Sequence, residues 1–446
     1  MNKKISIFIA IVLILLLAAA LRIHTFYLPH NHGDQVIYLG LAMKLEKFGF
    51  KEYNLKGIDV LGNSEILEVV SANTGEKGSM LEALEGDNVF YYSKEPISNM
   101  PPALSYLLML SHKLFSRDKL FFSINRNLGS WGIILRPRGY FDLQFYAVWI
   151  NFVFSLLFIL TIFFLGKNLF NARIGLWAAI IISTSALDIL TSQRLWTDEM
   201  ASFFIALCIL LYWLGRKNNK LVLFVLSGIS AGLAALTKPS GFFVIFIIIV
   251  SEMLLSYKEN RRILFGLLFN KRLLLLILFS LLVCGLWYGK ITSVYGVPWH
   301  QPYQKDIEKV SSWFMFLSKR PLYGQLYYFV LLSPILAFLY LEITKTILRK
   351  IFSKERIVLL VWFLLFTIML FLSTGKEERY MLPAYPAIAI FSSLALENIR
   401  ERLNKSGKIK GLGNIVIILL FLINGIWSVK FGWDCVFNNL SVFDLI

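Results

Sequence analysis

The chain has few charged residues and little cysteine. Only 16% of its 446 residues are charged and 57% are hydrophobic, whereas about 25% of residues are charged in a typical soluble protein. This composition excludes an ordinary water-soluble protein, and 15% aromatic residues exclude a disordered chain. The three cysteines, Cys208, Cys284 and Cys435, are far apart in the sequence. Their spacing therefore excludes a disulfide framework and a Cys/His metal motif.

Acidic residues are also scarce, and the net charge is +17. A nucleic-acid-binding protein would carry such a charge as Lys and Arg on one solvated face. The positions of the Lys and Arg residues along the chain decide whether the net charge indicates nucleic-acid binding.

Long apolar runs dominate the sequence. A transmembrane helix needs about 20 mostly apolar residues, and residues 5–21 form such a run behind two lysines. Ten more runs make a retained first span a better interpretation than a cleaved signal peptide. They are residues 144–165, 174–190, 200–214, 221–236, 241–256, 273–289, 326–344, 357–373, 383–399 and 414–432. Residues 103–115 are too short for a span and predict a helix lying at the membrane interface.

The loops between these runs alternate in charge. With the N-terminus inside, the inner segments contain 22 Lys and Arg but three acids, and the remainder of the chain is nearly neutral. Such an excess of bases is typical of cytoplasmic loops. The net charge is therefore a signal of topology, and we expect no nucleic-acid partner. The inner segments are residues 1–4, 166–173, 215–220, 257–272, 345–356 and 400–410.

This topology predicts an all-α polytopic protein of the plasma (inner) membrane, with its N-terminus in the cytoplasm and about 11 transmembrane helices. We expect one domain over residues 1–446 and no separate soluble domain. Residues 28–143 form a long first outer loop with helices along the membrane, and residues 290–325 form a later outer loop. Membrane lipids are the predicted surroundings, including anionic lipids at the inner leaflet.

The first unusual polar residue is Asp34, just outside the first span. It precedes Ile37, Tyr38, Leu41, Leu45 and Phe48, which have the spacing of one apolar helix face. An Asp in this position is commonly a helix N-cap, and a catalytic role is the alternative.

The second outer segment, residues 193–199, contains Arg194, Asp198 and Glu199. Acids that begin a helix compensate its dipole. Two adjacent carboxylates beside an arginine can instead hold a divalent cation and a phosphate, and oxygen ligands favour Mg²⁺ or Mn²⁺. The sequence leaves both interpretations open.

Two further outer segments carry bases. Lys238 separates two apolar helices, where snorkelling is the simplest explanation. Lys376 and Arg379 flank Glu377 and Glu378 and precede Tyr380. The bases can pair with these acids or bind a phosphate. Acids and bases thus gather on one predicted rim, whereas Asp188, Glu252, Lys290 and Glu342 near span ends are explained by snorkelling alone.

At these residues the sequence resembles the GT-C membrane glycosyltransferases, in the branch with protein O-mannosyltransferases and the lipid A aminoarabinose transferase. Six segments match the motifs of that branch in order: residues 32–39, 100–106, 165–170 together with 175–179, 194–198, 236–239 and 376–383. Two positions depart from the pattern. Gln35 replaces a second acid, so only Asp34 carries the family's acidic role, and Met100 replaces a polar residue before Pro101-Pro102.

The resemblance implies a sugar donor linked to a polyprenyl phosphate and transfer at the extracytoplasmic face to a protein, lipid or glycan. Asp34 is then the general base, and the reaction inverts the anomeric centre. The resemblance assigns the donor phosphate to Arg194, Lys238, Lys376, Arg379 and Tyr380. Asp198 and Glu199 have three alternative roles that the sequence leaves open: binding a metal, orienting Arg194 or holding the acceptor. A Mg²⁺ or Mn²⁺ ion would draw its ligands from Asp34, Asp198 and Glu199.

Other functions fit the membrane topology. A transporter or lipid flippase would carry polar or broken helices near the bilayer midplane, which these runs largely lack. A non-catalytic scaffold leaves the outer acids and bases unexplained. An oligosaccharide-transferring relative would be expected to carry a large soluble domain.

Overall fold

The computed structural model describes residues 3–23, 38, 41–42, 44–46, 48–50, 53, 100–115, 123–124, 135–136, 142–260, 270–295, 330, 332–372, 378–406 and 411–437. Helices make up nearly all of this part of the chain, which confirms the predicted all-α class. Strand structure there is limited to a two-residue antiparallel ladder between β1 (Ser123–Ile124) and β2 (Leu135–Arg136).

Thirteen α-helices have defined bounds within the described residues. In chain order they are α1 (Lys3–Arg22), α2 (Ala103–Phe115), α3 (Asp142–Leu169), α4 (Ala172–Ser183), α5 (Ala186–Ser192), α6 (Thr197–Asn218), α7 (Leu221–Thr237), α8 (Phe243–Asn260), α9 (Lys271–Tyr295), α10 (Phe338–Leu348), α11 (Lys354–Leu372), α12 (Tyr385–Ser406) and α13 (Leu412–Phe437). Three 3-10 helices accompany them: Pro239–Phe242, Pro334–Ala337 and Glu378–Ala384.

Seven described helices are long and apolar enough to cross a membrane. The number rises to eight when α4 and α5, which meet at a bend of 62°, count as one span, and α7 is a shorter apolar helix. Helical residues occur in all eleven predicted runs. The chain is a multi-pass membrane protein, and the number of eleven spans stays a prediction.

The described residues divide into two compact units. The larger unit comprises residues 1–22, 154–191 and 198–446. Within it α12 packs against α4, α10 and α13, and α7 packs against α9. The most apolar windows of α6 and α12 are 78% buried, against 17% for α1 and 22% for α13. Helices α6 and α12 therefore form the core, while α1 and α13 leave apolar side chains for lipid.

A glycine and an asparagine fix the close approach of two helices in this unit. A Cβ on Gly175 would lie 2.4 Å from the carbonyl oxygen of Phe163, so only glycine fits where α4 folds back on α3. The side chain of Asn171 caps α4 by accepting hydrogen bonds from the amides of Arg173 and Ile174 at 3.0 and 3.1 Å. Residues 165–179 thus encode a tight helical hairpin.

The smaller unit comprises residues 23–153 and 192–197. Its helix α2 has the predicted bounds, and the Tyr53 hydroxyl lies 3.2 Å from Ser105 Oγ on this helix. Burial raises the pKa of Tyr53, so its hydroxyl remains protonated. On the predicted helix after Asp34, Tyr38, Leu41 and Leu45 are helical and buried, whereas Phe48 is 62% exposed.

Candidate active site

Lys238 lies in a sharp turn between α7 and α8. Its backbone is extended, and its amide donates to the carbonyl of Ala234, which ends α7. Pro239 then begins the 3-10 helix, as its fixed φ favours. A Cβ on Gly241 would lie 2.2 Å from the carbonyl carbon of Ala234. Glycine is therefore required for the chain to fold back closely enough to hold Lys238 in place.

Arg379 and Tyr380 belong to the 3-10 helix before α12. The indole N–H of Trp362 on α11 donates to the carbonyl of Pro383 at 2.9 Å. Met381 and Leu382 are buried at 2% and 0% exposure. This short segment is therefore fixed by packing on both sides, and it presents Arg379 and Tyr380 from a rigid support.

Asp198 brings these two segments together. It lies in the first turn of α6, which begins at Thr197, one residue before the predicted start at Asp198. Its Oδ1 is 2.5 Å from Lys238 Nζ, and its Oδ2 is 4.0 Å from Arg379 Nε. The carboxylate is 2% exposed, while the side chains of Lys238 and Arg379 are 21% and 9% exposed. One buried acid thus orients two cations from distant parts of the sequence.

Tyr380 lies against both cations. Lys238 Nζ is 4.2 Å from the centre of its ring, and the guanidinium carbon of Arg379 is 5.5 Å from it. Both distances lie within the range of cation–π attraction. We call Asp198, Lys238, Arg379 and Tyr380 the Asp198 cluster. The sequence predicts a role in the site for each of the four, and the structure brings them together.

Glu199 has different neighbours from Asp198. Its Oε2 accepts a hydrogen bond from the Thr191 hydroxyl at 2.7 Å. Consecutive residues of an α-helix point in directions about 100° apart, so two adjacent acids readily take different partners. Glu199 is completely buried.

Arg194 belongs to the smaller unit. Its guanidinium carbon is 4.8 Å from the centre of the Trp196 ring. Asn151 on α3 donates to the carbonyls of Arg194 and Trp196, the latter at 2.9 Å. The turn that carries Arg194 is therefore held at its backbone by a buried amide. Asp34 and Lys376 lie outside the described residues.

A metal site needs several ligands at one place. No group of three or more His, Cys, Asp or Glu side chains converges within the described residues. Asp198 faces Lys238 and Arg379, and two cations disfavour a third at the same carboxylate. The described residues alone therefore do not fit a metal, and a site built from Asp34, Asp198 and Glu199 stays a prediction.

Comparison with solved structures identifies the fold. The chain is 14% identical to ArnT from Cupriavidus metallidurans in the apo state, with a TM-score of 0.56 over 91% of this chain and 62% of that one. It is 14% identical to the oligosaccharyltransferase AglB from Archaeoglobus fulgidus in complex with an inhibitory peptide and a dolichol-phosphate, with a TM-score of 0.58 over 97% of this chain and 56% of that one. The chain has the GT-C fold.

Two family models match parts of this GT-C chain. Residues 141–287 match the dolichyl-phosphate-mannose-protein mannosyltransferase family, and residues 310–436 match the Alg9-like mannosyltransferase family. No curated protein sequence matches the chain. A second ArnT structure, bound to undecaprenyl phosphate, is 12% identical with a TM-score of 0.54, over 98% of this chain and 71% of that one. The chain spans 62% of apo ArnT and 56% of AglB.

The sequence interpretation missed the role of several buried ion pairs. Snorkelling is wrong for Asp188, Glu252 and Glu342, which are at most 1% exposed and pair with bases. The partner of Asp188 is Arg22, the last residue of α1. An arginine at the end of a span, such as Arg22, is the sequence signal for a buried ion pair. Its partner Asp188 is 166 residues away, so the sequence does not reveal the pairing.

Proposed function

We propose that this GT-C protein is a membrane glycosyltransferase that takes its sugar from a polyprenyl-phosphate-linked donor. The observation that carries the proposal is the Asp198 cluster, in which one carboxylate contacts a lysine and an arginine from two other segments of the chain. Both cations belong to segments that match family motifs. The neighbouring ArnT and AglB structures contain undecaprenyl phosphate and dolichol-phosphate.

The chemistry explains why two cations are needed. When the bond between the sugar and the phosphate breaks, negative charge develops on the departing phosphate oxygen. Fixed positive groups stabilise this charge most where water is limited. We assign this role to Lys238 and Arg379, with Asp198 orienting them and Tyr380 supporting them. Arg194 and Lys376 are further candidates for the same phosphate.

The acceptor needs a base. Both oxygens of Asp198 face cations, so we assign this carboxylate to orienting Lys238 and Arg379. We therefore propose Asp34 as the general base, on the side of the sugar opposite the phosphate, with inversion of the anomeric centre. The Asp198 cluster needs no metal for charge neutralisation. One neighbouring structure is a complex with Zn and sulfate, and a metal at Asp34 stays a prediction here.

We further propose that transfer takes place at the extracytoplasmic face of the plasma (inner) membrane. The support is the excess of bases in the segments between spans on the other side. The acceptor is a protein, lipid or glycan. A transporter or flippase gains no support, because the matched families and neighbouring structures are transferases.

The test is Asp34→Asn in the purified protein, with release of polyprenyl phosphate from polyprenyl-phosphate sugars as the measurement. Loss of a general base lowers turnover by about a hundredfold or more, and we expect that loss with unchanged donor affinity. Asp87→Asn, in the same predicted loop, is the control and should retain activity. Normal turnover in Asp34→Asn would exclude this residue as the base, and absence of turnover in the wild-type protein with every donor would refute the transferase.

A further inference from the structure

The C-terminal part of α9 contacts the turn that carries Lys238. The hydroxyl of Tyr288 on α9 donates a hydrogen bond to the carbonyl of Ala235 at 2.8 Å. The ring of Tyr288 lies edge-on to the ring of Phe242, with 4.7 Å between the two ring centres. Ala235 lies before Lys238 in the chain and Phe242 lies after it. One side chain of α9 therefore contacts the chain on both sides of Lys238.

The hydrogen bond from Tyr288 satisfies a carbonyl that the sequence leaves without a helical partner. In a continuing α-helix the carbonyl of Ala235 would accept from the amide of residue 239, but Pro239 has no N–H. The amide of Lys238 donates to the carbonyl of Ala234 at 2.9 Å. The end of α7 therefore leaves the Ala235 carbonyl without a donor in its own helix, and Tyr288 supplies one from α9.

Close packing of α7 and α9 brings Tyr288 to this carbonyl. A Cβ on Gly228 or Gly232 of α7 would lie 2.5 or 2.8 Å from a carbonyl oxygen of α9, which is closer than real Cβ atoms come. Two small residues four positions apart let helix backbones approach closely in membrane proteins. Gly228, Gly232 and Ala235 have the spacing of one helix face. The contact of Tyr288 therefore continues the interface that the two glycines form.

We propose that Tyr288 is a positioning residue of the active site, which holds the turn so that Lys238 faces the donor phosphate. The inference rests on the proposed function. Asp198 and Tyr380 contact the end of the Lys238 side chain, whereas Tyr288 holds the backbone beside it. Without the hydroxyl, the Ala235 carbonyl loses its hydrogen bond, and this loss favours a shift of the turn. Tyr288 acts through Lys238 and has no contact with the substrate in this scheme.

The experiment measures the affinity of the full-length protein for undecaprenyl phosphate by isothermal titration. Tyr288→Phe removes the hydroxyl and keeps the ring, and we expect it to bind about fivefold more weakly than the wild type. Tyr288→Leu also removes the ring contact with Phe242 and should bind about tenfold more weakly.

Ser230→Ala is the matched control. Ser230 Oγ on α7 donates to the carbonyl of Phe204 on α6 at 2.9 Å, so this variant also loses a hydrogen bond from a hydroxyl to a carbonyl of another helix, away from the turn. It should bind undecaprenyl phosphate as the wild type does. The melting temperature in detergent should fall slightly in both Ser230→Ala and Tyr288→Phe, because each loses one hydrogen bond.

A double variant decides whether Tyr288 acts through Lys238. Residues that act through one another have non-additive effects, so Tyr288→Phe combined with Lys238→Met should bind no more weakly than Lys238→Met alone. An undiminished further loss in the double variant would overturn the proposed route through Lys238.

Two other results would overturn the positioning role. One is wild-type affinity in Tyr288→Phe, and the other is an equal loss of affinity in Ser230→Ala, which would trace the effect to general loosening of the helices. In both cases the wild-type protein still binds undecaprenyl phosphate. If the wild-type protein binds none, the proposed function fails and the positioning role fails with it.

Discussion

Two clusters in the larger unit contain the same kinds of charge but differ in construction. Each has one buried carboxylate, 2% exposed, with a lysine and an arginine: Asp198 with Lys238 and Arg379, and Glu342 with Lys345 and Arg356. In the Glu342 cluster the arginine is 2.6 Å from the acid, and the Asn398 amide donates to the other oxygen at 2.8 Å. In the Asp198 cluster the arginine contact is 4.0 Å.

The origin of the residues differs as well. Lys345 is three residues from Glu342 on α10, the spacing of a common helix ion pair. The members of the Asp198 cluster come from three segments that meet only in the folded protein. Charge composition is therefore a poor indicator of a site. A cluster whose charged residues come from distant parts of the sequence and lie beside an aromatic ring is a better one.

The largest expected effect on turnover comes from removing the lysine of the Asp198 cluster. Lys238→Met should lower donor turnover by about 100–1,000-fold, the typical cost of removing a group that stabilises developing charge. Lys345→Met is a closely matched control, since the two lysine side chains are 21% and 23% exposed and each pairs with a buried acid. Turnover with a polyprenyl-phosphate sugar and melting temperature in detergent are the measurements.

The control should keep its turnover, because Glu342 retains Arg356 and Asn398 as partners when the lysine is removed. Equal losses of turnover in the two variants would remove the functional difference between the clusters. Lys238→Arg retains the charge, and its activity would separate loss of charge from misfolding.

An intermediate effect is expected from replacing each arginine by lysine. Arg379→Lys retains the charge but loses the planar fork that suits phosphate, so affinity for undecaprenyl phosphate should fall about tenfold, or 1.4 kcal/mol. Arg356→Lys should leave this affinity unchanged while lowering the melting temperature slightly. Isothermal titration of both variants makes the comparison, and a normal affinity in Arg379→Lys would show that the guanidinium geometry is dispensable.

The smallest effect concerns Tyr380. Tyr380→Leu removes a ring that attracts both cations, at a cost of about 1 kcal/mol, and should weaken undecaprenyl phosphate binding about fivefold. Tyr380→Phe keeps the ring and should bind within about twofold of the wild type. If Phe is as damaging as Leu, the hydroxyl rather than the ring supports the cluster.

Local patterns predicted much of the fold. Apolar runs of sufficient length became helices because the backbone has no other way to satisfy its hydrogen bonds in lipid, and the 13-residue helix Ala103–Phe115 has its predicted bounds. In the same way, Lys238-Pro239 and Arg379-Tyr380 were recognisable as interruptions between apolar segments. Their convergence on Asp198 depends on tertiary packing, which one sequence does not specify.

Other features of the structure could not be predicted from the sequence for the same reason. Asp198 and Glu199 are neighbours in sequence but have separate partners, since helix geometry sends adjacent side chains in different directions. In the sequence, acids near span ends cannot be told from residues that snorkel to the membrane surface. Only their burial in the structure distinguishes Asp188 and Glu342 from that case. The role of Asp34 stays a prediction, because that residue lies outside the described part of the chain.

The Arg22–Asp188 pair also constrains how the protein is made. The two residues are 166 positions apart, so at about 5–20 residues per second the first span waits on the order of 10–30 s for its counter-charge to be synthesised. An arginine in the middle of the span would be costly during that delay. Arg22 is the last residue of α1, where its long side chain can stay at the membrane surface. The position of Arg22 therefore allows α1 to insert into the membrane early. It pairs with α5 only later, after Asp188 has been synthesised.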